Sequence, residues 1–444
     1  MQDLIKAVDK HKRLILDAER YIWKNPETGY KEYKTSAYME EKFISLGYDI
    51  VKAKDITGFY TVLDTGKAGP EILILGELDS IICPTHPEAD KQTGAVHSCG
   101  HHAQCAALLG VAAALKEPGI LDKFCGKIRL CAVPAEELLE IEYRTKLINE
   151  GKIKFFGGKP EFLSRGYFDG VDIAFMVHTT TNNNFTCNRG GVGCLPKRII
   201  YKGLASHAGG SPWAGKNALY AATCGINAVN AIRETFQEKD IIRFHPIITH
   251  GGDMVNAIPE TTEIETYIRG ESFDAMKSNN KRINQALIGA ALSLDNNVEI
   301  IDRSGYAPYK NDPNMIALAI DALKIALPDE EFVFNDVISS GSTDMGDLSC
   351  IMPIIHPYAA GSTGKSHGND YYVIDPERAC VNSAKWQLAM LLLLLQNGGE
   401  RAKQIVKDYK PVFKSKEEYL EYCDSLCSSG NRIEYSEKEA KIRL

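Results

Sequence analysis

The residues best able to do chemistry are concentrated in one short stretch, HSCGHHAQ, which sets His97, Cys99, His101, His102 and Gln104 within eight positions around a single glycine. A thiolate and an imidazole two residues apart, on a loop entering a helix, can face one cation, and such donors suit zinc, nickel or manganese. A polar loop with a buried cysteine would have the same composition. Two adjacent acids, Glu136 and Glu137, follow the apolar run KIRLCAVPA and could divide two tasks, one holding a cation and the other moving protons. A catalytic ion lowers the pKa of water from about 15.7 to about 7, so a nearby carboxylate can take its proton. Acids at a helix start are also favoured by the helix dipole, and Glu140 and Glu142 keep that second reading open. His178 closes the run VDIAFMVHT, and His367 lies in the Gly/Ser-rich GSTGKSHGN. Taken singly, either is more often a core or surface histidine than a ligand.

The elements that must position these side chains are legible as apolar runs that stop at polar residues. EILILGELD, Glu71 to Asp79, reads as a buried strand opening into a loop at Asp79. KIRLCAVPAEE and VDIAFMVHT repeat the pattern, and HAQCAALLGVAAALKE reads as a helix between strands. Alternating strands and helices predict an α/β fold, a mostly parallel sheet with helices on both faces and ligands gathered at strand C-termini. From Cys194 to Ser304 the pattern changes: strand 197–205, helix 215–234, strand 241–249, strand 261–269, helix 273–294, strand 298–304. That βαββαβ order predicts a ferredoxin-like α+β domain, 194–304, inserted in a larger one made of 1–193 and 305–444. Helices over DPNMIALAIDALKIAL and from Pro376 to Asn397 would complete the larger domain, and the charged last forty-odd residues read as helical.

Composition narrows the function classes. The 444 residues carry a net charge of -7 and no long basic run, which disfavours a nucleic-acid partner. The longest uncharged apolar run, Leu388 to Leu395, is far short of the ~20 residues that span a bilayer, so no membrane partner is expected. Twelve irregularly spaced cysteines and a charged, helix-like start without a signal-peptide core predict a reducing, cytoplasmic setting.

Taken in order, NPETGYKEYKTS, GELDS, HSCGH, PAEE, FMVHT, GLASHAGGSPWAGKNAL, GGDMVNAIPE, YIRG, GSTDMGD and GKSHGND resemble the M20 metallopeptidase family, in its amidohydrolase branch of aminoacylases, auxin-conjugate hydrolases and aminobenzoyl-glutamate hydrolases. The resemblance covers nearly the whole chain. It implies two divalent metal ions held by Cys99, His101, Glu137, His178 and His367, with Glu136 as general base and Asp79 orienting the ligands. It further implies that the inserted domain is a lid and homodimerisation domain, with His207 meeting the oxyanion and Asn256 and Arg269 binding the substrate. The implied reaction is hydrolysis of an amide in a small N-acyl amino acid, an aminobenzoyl-glutamate-like conjugate or a dipeptide, by water held between the ions. A catalytically silent protein of the same fold that binds metal or a small ligand is the alternative. Two departures stand out: His102 and Gln104 replace an acid and a histidine of the family pattern, and Gly341-Ser342-Thr343-Asp344 leans toward the aminobenzoyl-glutamate branch.

Overall fold

The computed structural model describes residues 1–444 and divides them into two compact units. The first unit comprises 1–190, 309–339 and 343–416. Its main sheet runs, in spatial order, Val51–Lys52, Phe59–Asp64, Lys127–Val133, Glu71–Glu77, Ile173–Phe175, Ile354–Ile355. The pairings from Lys127–Val133 onward are parallel, and the two before it are antiparallel. All seven residues of Glu71–Glu77 are buried, as expected of a parallel strand covered on both faces. Helix His101–Leu115 packs on it, and its small apolar residues are buried all round. It is covered in turn by helices Lys12–Trp23 and Ser383–Leu395.

Several predicted elements end or divide differently from the sequence reading. The apolar run to His178 is two strands: Ile173–Phe175 in the main sheet, then His178–Thr179 in a smaller sheet with Tyr358–Ala359 and Phe185–Gly191. The chain changes sheets because it follows the 354–359 segment, with Met176 and His178 N–H donating to the carbonyls of Ile355 and Pro357. The strand Phe332–Ser339, which pairs with Phe185–Gly191, was not anticipated; its half-exposed residues lack a clean alternation. The helix expected from Pro376 opens with a π-helical stretch, Glu377–Asn382, and regular helix spans Ser383–Leu395.

The second unit comprises 191–308, 340–342 and 417–444. Its strands Gly193–Lys202, Arg243–Phe244 with Ile247–His250, Thr261–Gly270 and Asn297–Asp302 stand in the order fourth, first, third, second, every neighbour antiparallel. With helices Ala218–Ile232 and Phe273–Ser293 this is ferredoxin-like topology. The expected strand 241–249 is interrupted at Pro246, which has no N–H to give a ladder.

The C-terminal residues depart most from expectation. Residues 417–444 cluster with the second unit rather than the first, and after helix Lys416–Leu426 they form a hairpin, Ile433–Tyr435 with Ala440–Ile442. Their backbone runs along Asn297–Asp302, with bonds between Asp302 and Ser428, Ile300 and Gly430, and Val298 and Arg432. Edge strands present unpaired N–H and C=O groups, and the tail satisfies those of this edge.

Candidate metal centre

The centre lies in the first unit, where strand ends and loops bring five donors from distant stretches together. Cys99 sits on the loop before helix His101–Leu115, and the turn requires Gly100 at φ 101°. A Cβ there would collide with Thr179 Oγ1 and come close to Tyr371 Oη, which bonds Thr179 and Ser362 at 2.8 and 2.9 Å. Cys99 Sγ is 3.5 Å from His178 Nε2. That matches the edge of a tetrahedron of donors around an ion with bonds of ~2.0–2.3 Å, an edge being about 1.6 bond lengths.

His101, at the start of its helix, and His178, at the start of strand His178–Thr179, are turned by their Nδ1 atoms. His101 Nδ1 lies 3.0 Å from the Asp79 carbonyl and 3.3 Å from Asp79 Oδ1, while His178 Nδ1 is 2.8 Å from the Thr179 carbonyl. Each Nδ1 is therefore an N–H donor, so Nε2 is the atom each ring would offer to a cation on losing its proton. Nε2 of His101 is buried without a well-formed hydrogen bond, 3.1 Å from Glu77 Oε2 and 3.8 Å from Glu136 Oε2.

Across the cluster, His367 Nε2 is 2.9 Å from Glu137 Oε1. His367 is held at φ 63°, a region few non-glycine residues adopt, and its N–H donates to the Ser98 carbonyl, tying its loop to that of Cys99. Its side chain is 51% exposed, so the centre is open on this side. Asp79 Oδ2 accepts the Glu137 N–H at 2.8 Å, so one buried carboxylate orients donors on both sides.

The donor atoms fall into groups whose members all lie within 4.8 Å of one another: Cys99, His101, His178; Cys99, Glu137, His367; and Glu77, His101, Glu136. Cys99 belongs to the first two, the arrangement of a thiolate shared between two cations. Burial works against its ionisation, but His101, then His178 and His367, pull the thiol down to about 6. The Glu137 carboxylate draws His367 up to about 12, the signature of an ion pair that a metal would replace. Glu136 moves the other way: burial and the carboxylates of Glu77, Glu137 and Asp344 push it well above the ordinary carboxyl range. Positive charge bound beside it would draw it back down. The donor types, the orphaned His101 Nε2 and the spacing all fit a pair of divalent ions.

Several buried residues surround the centre, of which Lys159, Glu77 and His356 were missed in the sequence. Lys159 Nζ bonds both Glu77 and Asp344, and all three side chains are completely buried. Gln104 donates to the other Glu77 oxygen at 2.9 Å. His102 lies 3.3 Å from Glu19 and edge-on to Trp23. The replacements at 102 and 104 thus join a buried polar layer behind the centre. His356 packs beside His178, ring centroids 5.6 Å apart, and burial depresses it to about 3, so it is neutral. GELDS and GSTDMGD contain Glu77 and Asp344, a usable signal; FFGGKPE gives none for Lys159.

The remaining site candidates belong to the second unit. His207 and Asn256 lie side by side there: His207 pairs with Ala257, and the Ala208 N–H donates to the Asn256 carbonyl at 2.9 Å. Both Asn256 and His207 are exposed. His207 Nδ1 accepts the N–H groups of Gly210 and Gly209 at 2.8 and 3.2 Å, so neutral His207 carries its proton on Nε2. Arg269, near the end of strand Thr261–Gly270, donates to the Ser340 carbonyl at 3.2 Å.

Comparison with known proteins agrees with this picture. The chain is 29% identical to human Xaa-Arg dipeptidase over 395 residues, 82% of this chain and 81% of that protein. It is 25% identical to one of the polypeptides of p-aminobenzoyl-glutamate hydrolase from Escherichia coli over 338 residues, 72% of this chain and 65% of that one. The fold resembles that of a Bacillus subtilis dinuclear metal binding peptidase of family M20, with TM-score 0.63 and 19% identity over 87% of this chain and 98% of that one. Residues 75–392 match the model of peptidase family M20/M25/M40, and the chain belongs to that family of hydrolases.

Proposed function

We propose that the chain hydrolyses the amide bond of a small substrate bearing a free carboxylate, a dipeptide or an N-acyl or aminobenzoyl-glutamate-like conjugate, at the Cys99 centre. The observation that carries this reading is the single thiol common to two donor triads. Cys99, His101 and His178 would hold one divalent ion, and Cys99, Glu137 and His367 the other, as zinc, manganese or nickel. When bound, the ions supply positive charge that polarises the scissile carbonyl and eases deprotonation of water. Glu136, buried against other acids, takes that proton and delivers it to the leaving nitrogen. Asp79 holds His101 and Glu137 in place. Supplied by the lid of this chain or of a partner subunit, His207 donates an Nε2–H hydrogen bond to the developing oxyanion, a contact worth roughly 3 kcal/mol. Asn256 and Arg269 grip the substrate carboxylate, for which a guanidinium offers two parallel donors.

The 29% identity to Xaa-Arg dipeptidase, with higher identity and coverage than the aminobenzoyl-glutamate hydrolase polypeptide, favours a dipeptide over the aminobenzoyl conjugate. The second unit exposes Trp213, Tyr220, Ile247, Met254 and Val255, which supports a homodimer formed through it. A cytoplasmic setting is favoured by twelve free cysteines, and no helix is long and apolar enough to cross a membrane. The deciding experiment pairs metal analysis with an amine-release assay on dipeptides, N-acyl amino acids and aminobenzoyl-glutamate, for wild type and Glu136→Gln. Two ions retained with turnover lost in the variant is the expected result; turnover near wild type removes Glu136 as the base.

A further inference from the structure

Glu136 and Glu137 sit on a stretch between strand Lys127–Val133 and helix Ile141–Asn149 that is neither helix nor strand. It is nevertheless buried, with Ala135 at 0%, Glu136 at 7% and Glu137 at 9% exposure. Buried backbone N–H and C=O groups need partners, and without a ladder these must come from elsewhere. The Ala135 N–H, at a residue with φ 57°, donates to Glu32 Oε1 at 2.8 Å. The Ala135 carbonyl accepts from Gly158 at 3.2 Å, and the Glu137 N–H goes to Asp79. The Glu137 carbonyl accepts from Leu139 N–H at 2.8 Å and from the guanidinium of Arg144.

Arg144 is 1% exposed and is fixed from several directions. Its second fork nitrogen donates to the Phe156 carbonyl at 2.6 Å, and its guanidinium lies 5.5 Å from the ring centroid of Tyr30. Tyr30 is pinned by its hydroxyl to the carbonyls of Phe155 and Gly157 at 2.9 and 3.1 Å. A Cβ at Gly29 would strike the Arg144 guanidinium, so the NPETGYKEYKTS segment is shaped around it.

The two halves of the centre therefore have different supports. Asp79 reaches both, through the Glu137 N–H and His101 Nδ1. Arg144 reaches the Glu137 half, whereas His101 and His178 are turned by the carbonyls of Asp79 and Thr179. We propose that Arg144 is a positioning residue for Glu137, and through it for the one cation position that Glu137 shares with Cys99 and His367. This rests on the two-ion reading above.

The test is calorimetric titration of Zn²⁺ into the full-length chain stripped with chelator, comparing wild type, Arg144→Lys, Arg144→Met and Asp79→Asn. Removing a support behind a ligand weakens metal binding about 10- to 100-fold. The Arg144 variants are expected to keep one Zn²⁺ at close to wild-type affinity and to bind the other about 10-fold or more weakly. Asp79→Asn is expected to weaken both. Thermal melting of the stripped chains checks folding, and Arg144→Lys, which keeps the charge but loses the fork, decides the matter should Arg144→Met not fold. Two affinities unchanged in Arg144→Lys, or both lowered by the same factor, overturn the assignment. A wild-type chain binding one ion instead overturns the two-ion reading and this proposal with it.

Discussion

Replacing Lys159 by Met removes the one ammonium bonded to both Glu77 and Asp344, behind the metal centre. Nζ is 2.5 Å from Glu77 Oε1 and is also bonded to Asp344 Oδ1, so the two carboxylate oxygens stand no more than about 5 Å apart. At an effective dielectric constant of about 20, two like charges at ~5 Å repel by about 3 kcal/mol. Breaking a buried ion pair by removing one partner costs about 3–5 kcal/mol, which agrees with that figure. The chain can limit the cost by protonating one of the acids, and that sets the pH dependence. Burial already lifts Asp344 to about 6 beside the lysine, and without the lysine the pair's proton affinity rises further. A carboxyl whose folded pKa exceeds its unfolded one loses stability as pH rises from about 4 through the folded value. Lys159→Met should therefore lie close to wild type at pH 5 and about 3–5 kcal/mol below it at pH 8, measured by urea denaturation of the chelator-stripped chain. Adding Asp344→Asn should recover at least half of the loss at pH 8. A deficit under ~1 kcal/mol at pH 8, or one larger at pH 5 than at pH 8, would refute the reasoning.

Gly100→Ala should cost about 2–4 kcal/mol in thermal or urea unfolding and lower bound metal, because a left-handed alanine is strained and its Cβ meets Thr179; a chain with wild-type stability and metal content would show the turn is adaptable. Asp302→Asn leaves Lys197 buried without its carboxylate partner and should cost about 3–5 kcal/mol. Burial raises the Asp302 pKa but the Lys197 charge outweighs it, so its net shift is downward. Its contribution is thus present above about pH 4 and is lost as pH falls further, and acid unfolding followed by circular dichroism should show a shallower slope in the variant. On the proposed homodimer, the double variant Ile247→Glu, Val255→Glu should sediment as monomers where wild type sediments as dimers, with thermal melting of the chain still cooperative; an unaltered dimer would move the interface elsewhere, and a monomeric wild type would remove it.

Much of the frame was readable because it rests on local chemistry. Apolar runs that stop at acids marked the strands leading to Asp79 and Glu136, and the spacing within HSCGHHAQ marked the cluster. The βαββαβ order of 194–304 was readable because its strands alternate cleanly, as in Thr261–Gly270 with every second residue buried. Residues whose meaning depends on distant partners were not. Lys159 is 82 positions from Glu77 and 185 from Asp344, and no local pattern encodes either distance. Arg144 looks like an ordinary helix residue until Tyr30 and the Glu137 carbonyl are placed around it. The tail was assigned to the larger domain, but it clusters with the second unit because its partner is a strand edge more than a hundred residues earlier, met through backbone groups that every sequence has.

The first unit is threaded from stretches separated by an entire second fold, and this orders events while the polypeptide is being made. When residue 190 has left the ribosome, Cys99, His101, Glu137 and His178 have all been synthesised, but the strand at 354–355 and His367 have not. One donor triad is then chemically complete and the other still lacks its last imidazole. Even so, His178 is held by the 354–359 segment, so on the two-ion reading neither donor triad is assembled until the C-terminal third emerges and docks.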